Sequence, residues 1–457
     1  MKAILITGDR SGSGKTSITL ALSALLAREN AVQSFKVGMD YIDPSYLTAA
    51  SGRPCRNLDS YVMDKRTIRA VFSHGCRDAE IALVEGVRGL YEGAEAIGDT
   101  GSTASIAKAL DLPVILVVSA RSITRSAAAI VAGFKQFDPE VRISGVILNN
   151  VKGDSHKKKA VSAIEHYCGL PVIGAVPRIE EMGLAMRHLG LIPFLEGQRT
   201  REFTERIDSI TRVIGEYVDL GMFKSLMRSC PYTKKADTIF KKKDADIRIA
   251  VALDEAFNFY YADLFDLLPA LGASVVPFSP IHDQLPDADG YIIGGGYPEM
   301  FLSELEANEK MRSAVSEASR DGRPIYAECG GLMYLTDRIR ISRDLAGNAV
   351  DRSAEMCGVF SGETHMPARR VVSYVEGKSS NDSLLGSAGF RGHEFHYSKV
   401  VLDKDTRYSY RLSRGIGIKD NLDGATIKNT LGSYTHLHPV PARQMFGKFV
   451  ERCRAAR

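Results

Sequence analysis

Short apolar runs alternate with stretches of helical spacing from Met1 to about Phe194. The runs are Ala3–Ile6, Ile81–Val84, Val114–Val118, Ile143–Leu148 and Val172–Val176. Runs that are apolar at nearly every position suit strands covered on both faces, so the pattern predicts a parallel, doubly wound α/β sheet. From Glu196 to Asp246 the pattern weakens, and Cys230-Pro231 and Lys241-Lys242-Lys243 precede a fresh strand start. That stretch reads as a linker with room for one extra helix. A second alternation follows: Ile247–Leu253, an amphipathic stretch Asn258–Leu271, then Val275–Phe278, Tyr291–Ile293 and Pro324–Ala327. It predicts a second α/β domain. Residues Arg338 to Lys428 are too irregular to assign. The expected organisation is therefore 1–195, a linker over 196–245, and 246–457.

Length supports two domains, because 457 residues exceed what one hydrophobic core serves. The formal charge of +4, with no basic tail, disfavours nucleic acid as a partner and leaves a multiply anionic small substrate open. Seven scattered cysteines without paired metal-ligand spacing point to reduced thiols rather than a disulfide framework or zinc site. The chain starts directly on a strand, and no apolar stretch approaches the length of a membrane span. The expectation is a soluble, unprocessed, cytoplasmic protein with no membrane partner.

After the first strand comes Gly8-Asp9-Arg10-Ser11-Gly12-Ser13-Gly14-Lys15-Thr16, leading into a helical segment Ser17–Arg28. Gly8, Gly12 and Gly14 let backbone N–H groups curl around phosphate oxygens, Lys15 adds a point charge, and Thr16 offers a hydroxyl to magnesium. Five residues separate Gly8 from Gly14, so the usual phosphate-loop spacing is met only with Asp9 in place of the first glycine. ATP binding is expected here. Asp40 and Asp43 follow the second strand-like run and are placed on a loop at the sheet's carboxyl edge, where α/β ligands bind. Glu85, at the end of Ile81–Val84, has the position of an acid that holds magnesium through water, and Glu92 is a weaker candidate.

In the second domain, Ile325-Tyr326-Ala327-Glu328-Cys329-Gly330-Gly331 sets one cysteine between a strand and a helix-opening glycine pair. This reads as a nucleophile elbow, with Cys329 as the covalent catalyst. In Tyr434-Thr435-His436-Leu437-His438, His436 is the candidate base and His438 the fallback. The turn Gly294-Gly295-Gly296-Tyr297-Pro298-Glu299 follows strand Tyr291–Ile293, and Gly295 and Gly296 are the candidate oxyanion donors.

Taken together these residues resemble the cobyrinic acid a,c-diamide synthase family and its relatives, the nickel-sirohydrochlorin a,c-diamide synthases of coenzyme F430 synthesis. The resemblance covers almost the whole chain. Its carriers are the Gly8–Thr16 loop, Lys36-Val37-Gly38-Met39-Asp40-Tyr41-Ile42-Asp43-Pro44, Gly52-Arg53-Pro54, Asn57-Leu58-Asp59 and Val84-Glu85-Gly86-Val87. In the second half they are Gly294–Glu299, Ala327–Gly331 and Ser433-Tyr434-Thr435-His436.

The resemblance implies a phosphate-loop synthetase domain like that of dethiobiotin synthetase, joined to a triad-type glutamine amidotransferase domain. It further implies glutamine hydrolysis by Cys329 and His436, and ATP–magnesium bound through Gly14, Lys15, Thr16 and Glu85. Asp40 and Asp43 would position metal, phosphate or substrate. The reaction implied is amidation of the a and c acetate groups of a metallo-tetrapyrrole by way of acyl phosphates. Small molecules are the expected partners, with a homodimer as the candidate assembly. Cobyrinate-type members carry proline, histidine and aspartate where this chain has Met39, Leu47 and Glu92, which points toward the nickel-sirohydrochlorin branch. Many such glutaminase domains have an acid two residues after the histidine. Here His438 stands there, so no orienting group is identified and a two-residue Cys329–His436 arrangement stays open. The competing readings are a ligase for another carboxylate substrate and an ATP-switched binding protein, which would have no use for Cys329.

Overall fold

The computed structural model describes residues 1–178, 201–230, 239–343 and 347–457. It divides into two compact units, Met1–Thr238 and Ile239–Arg457.

In the first unit the apolar runs form strands of one sheet, interior except for Val172–Val176, which lies in an edge strand. The strand order of the sheet is Arg56–Leu58, Val32–Val37, Ile81–Gly89, Lys2–Gly8, Val114–Ser119, Ile143–Val151 and Val172–Pro177, all parallel. Ile115, Val117 and Ile147 are buried in a core shared with Ile18 and Leu22 of helix Lys15–Ala27, as expected of strands covered by helices on both faces. The phosphate loop and Asp40 lie in segments that follow the carboxyl ends of these strands, whereas Glu85 lies within strand Ile81–Gly89 itself. Asp43 departs from the expected loop position, since it stands in the first turn of helix Ile42–Ser51.

Within the stretch read as a linker, the described residues form helices Arg201–Tyr217 and Leu220–Leu226 and the short strand Arg228–Ser229. That strand pairs antiparallel with Lys2 and Ala3, and Ile210 and Ile214 join the first unit's core. The expected boundary at 195/196 lies outside the described residues.

The second unit has a nine-stranded sheet. Strands Ala273–Phe278, Ile247–Ala252, Gly290–Ile293, Ile325–Glu328 and Thr430–Ser433 run parallel in that order. The sheet continues antiparallel through Leu422–Ile427, Arg407–Arg414, Val371–Ser379 and Gly389–His396. A separate four-stranded sheet holds Ala349–Glu355, Thr336–Arg343, Phe360–Met366 and Lys399–Leu402. Much of the unassigned region 338–428 is thus strand. The amphipathic stretch 258–271 is helical only over Ala262–Ala270, because Phe257–Phe259 pairs with Gly295 and Gly296 instead.

Candidate functional sites

The phosphate loop begins where strand Lys2–Gly8 ends and closes at Gly14, whose φ of 94° caps the next helix. A side chain at Gly14 would lie 2.1 Å from Asn149 Nδ2, which itself donates to Ser13 O at 2.9 Å. Asn149, missed in the sequence reading, therefore fixes the loop from strand Ile143–Val151, two strands across the sheet. Asp9 is buried and accepts from Arg10 Nη2 at 2.7 Å, so this deviant position is filled by a local ion pair.

Lys15 opens the helix and is largely buried. Burial, and then the charge of Lys36, lower its pKa. Thr16 Oγ1 donates to Glu85 Oε1 at 2.6 Å and lies 3.4 Å from Asp43 Oδ2. At the centre of this cluster is Lys36, which the sequence reading gave no role. Its Nζ reaches Asp43 Oδ2 at 2.5 Å, Glu85 Oε1 at 2.8 Å and Asp40 Oδ2 at 3.9 Å. Burial opposes its charge, but the three carboxylates outweigh burial and raise its pKa. Asp40 is pushed up to about 7, by burial and then by the charge of Asp43. Asp43 is held low, because Lys36 overcomes the effect of burial. Glu92 is exposed and folds back against Gly89.

Among the described residues no group of three or more His, Cys, Asp or Glu side chains is placed to hold a metal by itself. Glu85 Oε2, however, is buried with no hydrogen-bond partner among the described residues, beside the Thr16 hydroxyl. One carboxylate oxygen and one hydroxyl suit magnesium, which keeps most of its waters and is otherwise held by nucleotide phosphates.

In the second unit Cys329 sits between strand Ile325–Glu328 and helix Gly330–Leu335 with φ 48° and ψ −99°. That strained backbone is the expected elbow, held in place by Cys329 N–H donating to Ser433 O at 2.7 Å. The thiol lies 3.7 Å from Phe395 O. His436 comes from the turn after strand Thr430–Ser433. Asp423 shapes that turn by accepting from Tyr434 N, Thr435 N and Thr435 Oγ1.

His436 is hydrogen-bonded to both Cys329 and Glu328. Burial works against its charge, yet these two partners push its pKa up to about 10. Its Nδ1 is 3.1 Å from Glu328 Oε2. His393 stacks on it with ring centroids 4.8 Å apart and is kept well below the ordinary histidine pKa by burial and then by His436. His438, the fallback base, instead lies tilted against the Tyr261 ring, centroids 4.5 Å apart, and 3.7 Å from Asp263 Oδ2, fully buried.

The glycine turn reaches the same place. A Cβ at Gly295 would stand 2.8 Å from His436 Cε1, and one at Gly330 would stand 3.0 Å from Gly296 N. Gly295 and Gly296 therefore border the elbow, while they also pair with Phe259 and Phe257. Among the described residues no helix is long and apolar enough to cross a membrane.

Comparison with known proteins agrees with this two-part arrangement. Residues 4–191 match the CobQ/CobB/MinD/ParA nucleotide binding domain, and residues 248–443 match the CobB/CobQ-like glutamine amidotransferase domain. The cobyrinate a,c-diamide synthase of Methanosarcina acetivorans is 50% identical, with 98% of this chain and 94% of the relative covered. That of Methanosarcina barkeri is also 50% identical, over 99% and 96%. That of Methanothermobacter thermautotrophicus is 44% identical, over 98% of each. The chain thus belongs to the cobyrinate a,c-diamide synthase family, with a phosphate-loop nucleotide-binding domain followed by a glutamine amidotransferase domain, and is a glutamine-dependent amide-forming ligase.

Proposed function

We propose that the protein amidates the a and c acetate carboxylates of a metallo-tetrapyrrole, with ATP as activator and glutamine as nitrogen donor. The observation that carries this reading is the pairing, in one chain, of Cys329 at a strained elbow hydrogen-bonded to His436 with Lys15, Thr16 and Glu85 around a phosphate loop.

His436 takes the proton of the Cys329 thiol, and the thiolate attacks the side-chain amide of glutamine. The N–H groups of the Gly295–Gly296 turn face the oxyanion, and His436 returns the proton to the departing ammonia. Water then hydrolyses the thioester to glutamate and free thiol. At the other site the tetrapyrrole carboxylate attacks the γ-phosphate of ATP, and ADP leaves. Ammonia displaces phosphate from the acyl phosphate, giving the amide. Activation is needed because a carboxylate is a poor electrophile and hydroxide a poor leaving group. Thr16 and Glu85 would hold magnesium, which neutralises phosphate charge when bound. Lys15 and Lys36 supply the fixed cations, and Asp40 and Asp43 line the same edge.

Cobyrinate is the favoured substrate, since relatives sharing up to 50% identity over nearly the full length carry that name. Nickel-sirohydrochlorin is the second reading, favoured by Met39, directly before Asp40 of the acidic cluster, and by Glu92 in place of the family's aspartate. Leu47 does not add to it, because it is buried at 1% exposure and reads as packing.

The deciding experiment incubates the protein with ATP, magnesium and glutamine, offers cobyrinic acid and nickel-sirohydrochlorin separately, and follows product mass. Two amides gained on cobyrinic acid alone support the first reading, and two on nickel-sirohydrochlorin alone support the second. No gain on either overturns the tetrapyrrole assignment. Cys329→Ala is expected to abolish glutamine-dependent amidation and to keep activity with high ammonium salt.

A further inference from the structure

We propose that Glu328, the residue directly before the nucleophile, is the carboxylate that sets the tautomer and orientation of His436. The acid of this glutaminase site then comes from the nucleophile's own strand, not from the position two residues after the histidine. The inference rests on the glutaminase reading above and adds a positioning residue to it.

Glu328 is buried at 8% exposure and spends both oxygens on the site. Oε2 lies 3.1 Å from His436 Nδ1. Oε1 accepts from Leu437 N at 3.0 Å and from the Tyr326 hydroxyl. The carboxylate is therefore anchored by a backbone N–H next to the histidine and by a phenol from its own strand. It can only accept, so His436 donates through Nδ1, and Nε2 is the nitrogen left for the Cys329 thiol.

Other acids nearby are committed elsewhere. Asp423 receives three donors from Tyr434 and Thr435. Glu394 receives the N–H groups of Ile416 and Gly417. Asp263 lies by His438, which fills the position two after His436.

Backbone geometry explains how neighbouring residues serve one imidazole. Successive side chains of a strand point to opposite faces, so Glu328 and Cys329 in an unbroken strand could not both reach His436. The φ of 48° at Cys329 breaks that alternation. The elbow thus exposes the nucleophile and also brings nucleophile and acid to the same ring.

Glu328→Gln tests this in the full-length protein. With the amide oxygen kept by Leu437 N–H and Tyr326, the NH₂ group faces Nδ1 and forces the tautomer whose Nε2 carries the proton. Glutamine hydrolysis is expected to lose kcat by about 10²-fold or more with little change in KM. The rate of Cys329 alkylation by iodoacetamide, read against pH, is expected to move to higher pH. The groups facing His436 in that titration are Cys329, Glu328 and the stacked His393, with His396 close by. Glu328→Asp, which keeps the charge on a shorter side chain, is expected to lose less than the Gln variant and to move the alkylation profile back toward that of the wild type.

A folded Glu328→Gln with wild-type kcat and an unmoved alkylation profile overturns the proposal. So does equal loss in the Gln and Asp variants with an unmoved profile, which is the mark of a structural role; if the Gln variant does not fold, the Asp variant alone decides by its profile. Cys329→Ala is assayed in parallel. Glutamine hydrolysis surviving in it defeats the glutaminase reading itself, whatever Glu328 does.

Discussion

Lys36 Nζ lies 2.8 Å from Glu85 Oε1, and both side chains are sealed from solvent. Asp43 and Asp40 complete the charge balance around the ammonium. Removing one partner of a buried pair strands the other, so Lys36→Met is expected to destabilise the protein by about 3–5 kcal/mol, measured by urea denaturation. Magnesium should raise the melting temperature of this variant more than that of the wild type, because three carboxylates are left facing one another. An equal response to magnesium in both proteins would count against the assignment of this cluster as the metal site.

Lys15 stands apart from the glutaminase chemistry, in the other unit. Lys15→Ala should eliminate ATP-dependent amidation while sparing glutamine hydrolysis at least in part. Unchanged amidation, followed by product mass, would remove Lys15 from its role.

Gly295 has no room for a side chain beside His436. A Cβ there would come within 2.8 Å of His436 Cε1 and 3.2 Å of Phe259 Cβ. Gly295→Ala should displace the imidazole and lower glutaminase kcat by about 10²-fold, since misplacement of a reacting group by about 1 Å has effects of that order. Retention of more than half the activity would show that the turn yields without moving the histidine.

The raised pKa of His436 has a definite sign for stability. The folded protein holds the proton more tightly than the unfolded chain, whose ordinary value is 6.5, and releases it near 10. The stabilisation is present in full below about 6.5 and is lost as pH rises through about 10. The melting-temperature gap between wild type and His436→Gln should therefore be widest below pH 6.5 and shrink toward pH 10. A gap that stays flat across this window would contradict the paired imidazolium.

Strands such as Val114–Ser119 were legible in the sequence because burial on both faces leaves an uninterrupted apolar run. Thr336–Arg343 and Phe360–Met366 were not, since they are half exposed, carry Arg, Thr, His and Glu among their apolar positions, and pair directly in parallel although strand Ala349–Glu355 lies between them in sequence. Cys329 and His436 were readable because each has an unusual local setting, a glycine pair or a polar turn. Glu328 and Lys36 were hidden by position: each occupies a strand where a charged residue signals nothing until the partner 108 or 49 residues away is brought beside it.

Lys36 and Glu85 are also direct cross-strand partners in the parallel ladder, and Glu85 faces Ile6 on its other side. Shifting strand Val32–Val37 by a single residue would turn Lys36 to the opposite face of the sheet and leave a desolvated ammonium with no counter-charge. The ion pair thus discriminates between strand alignments, since a misaligned sheet lacks the electrostatic closure that the native alignment supplies.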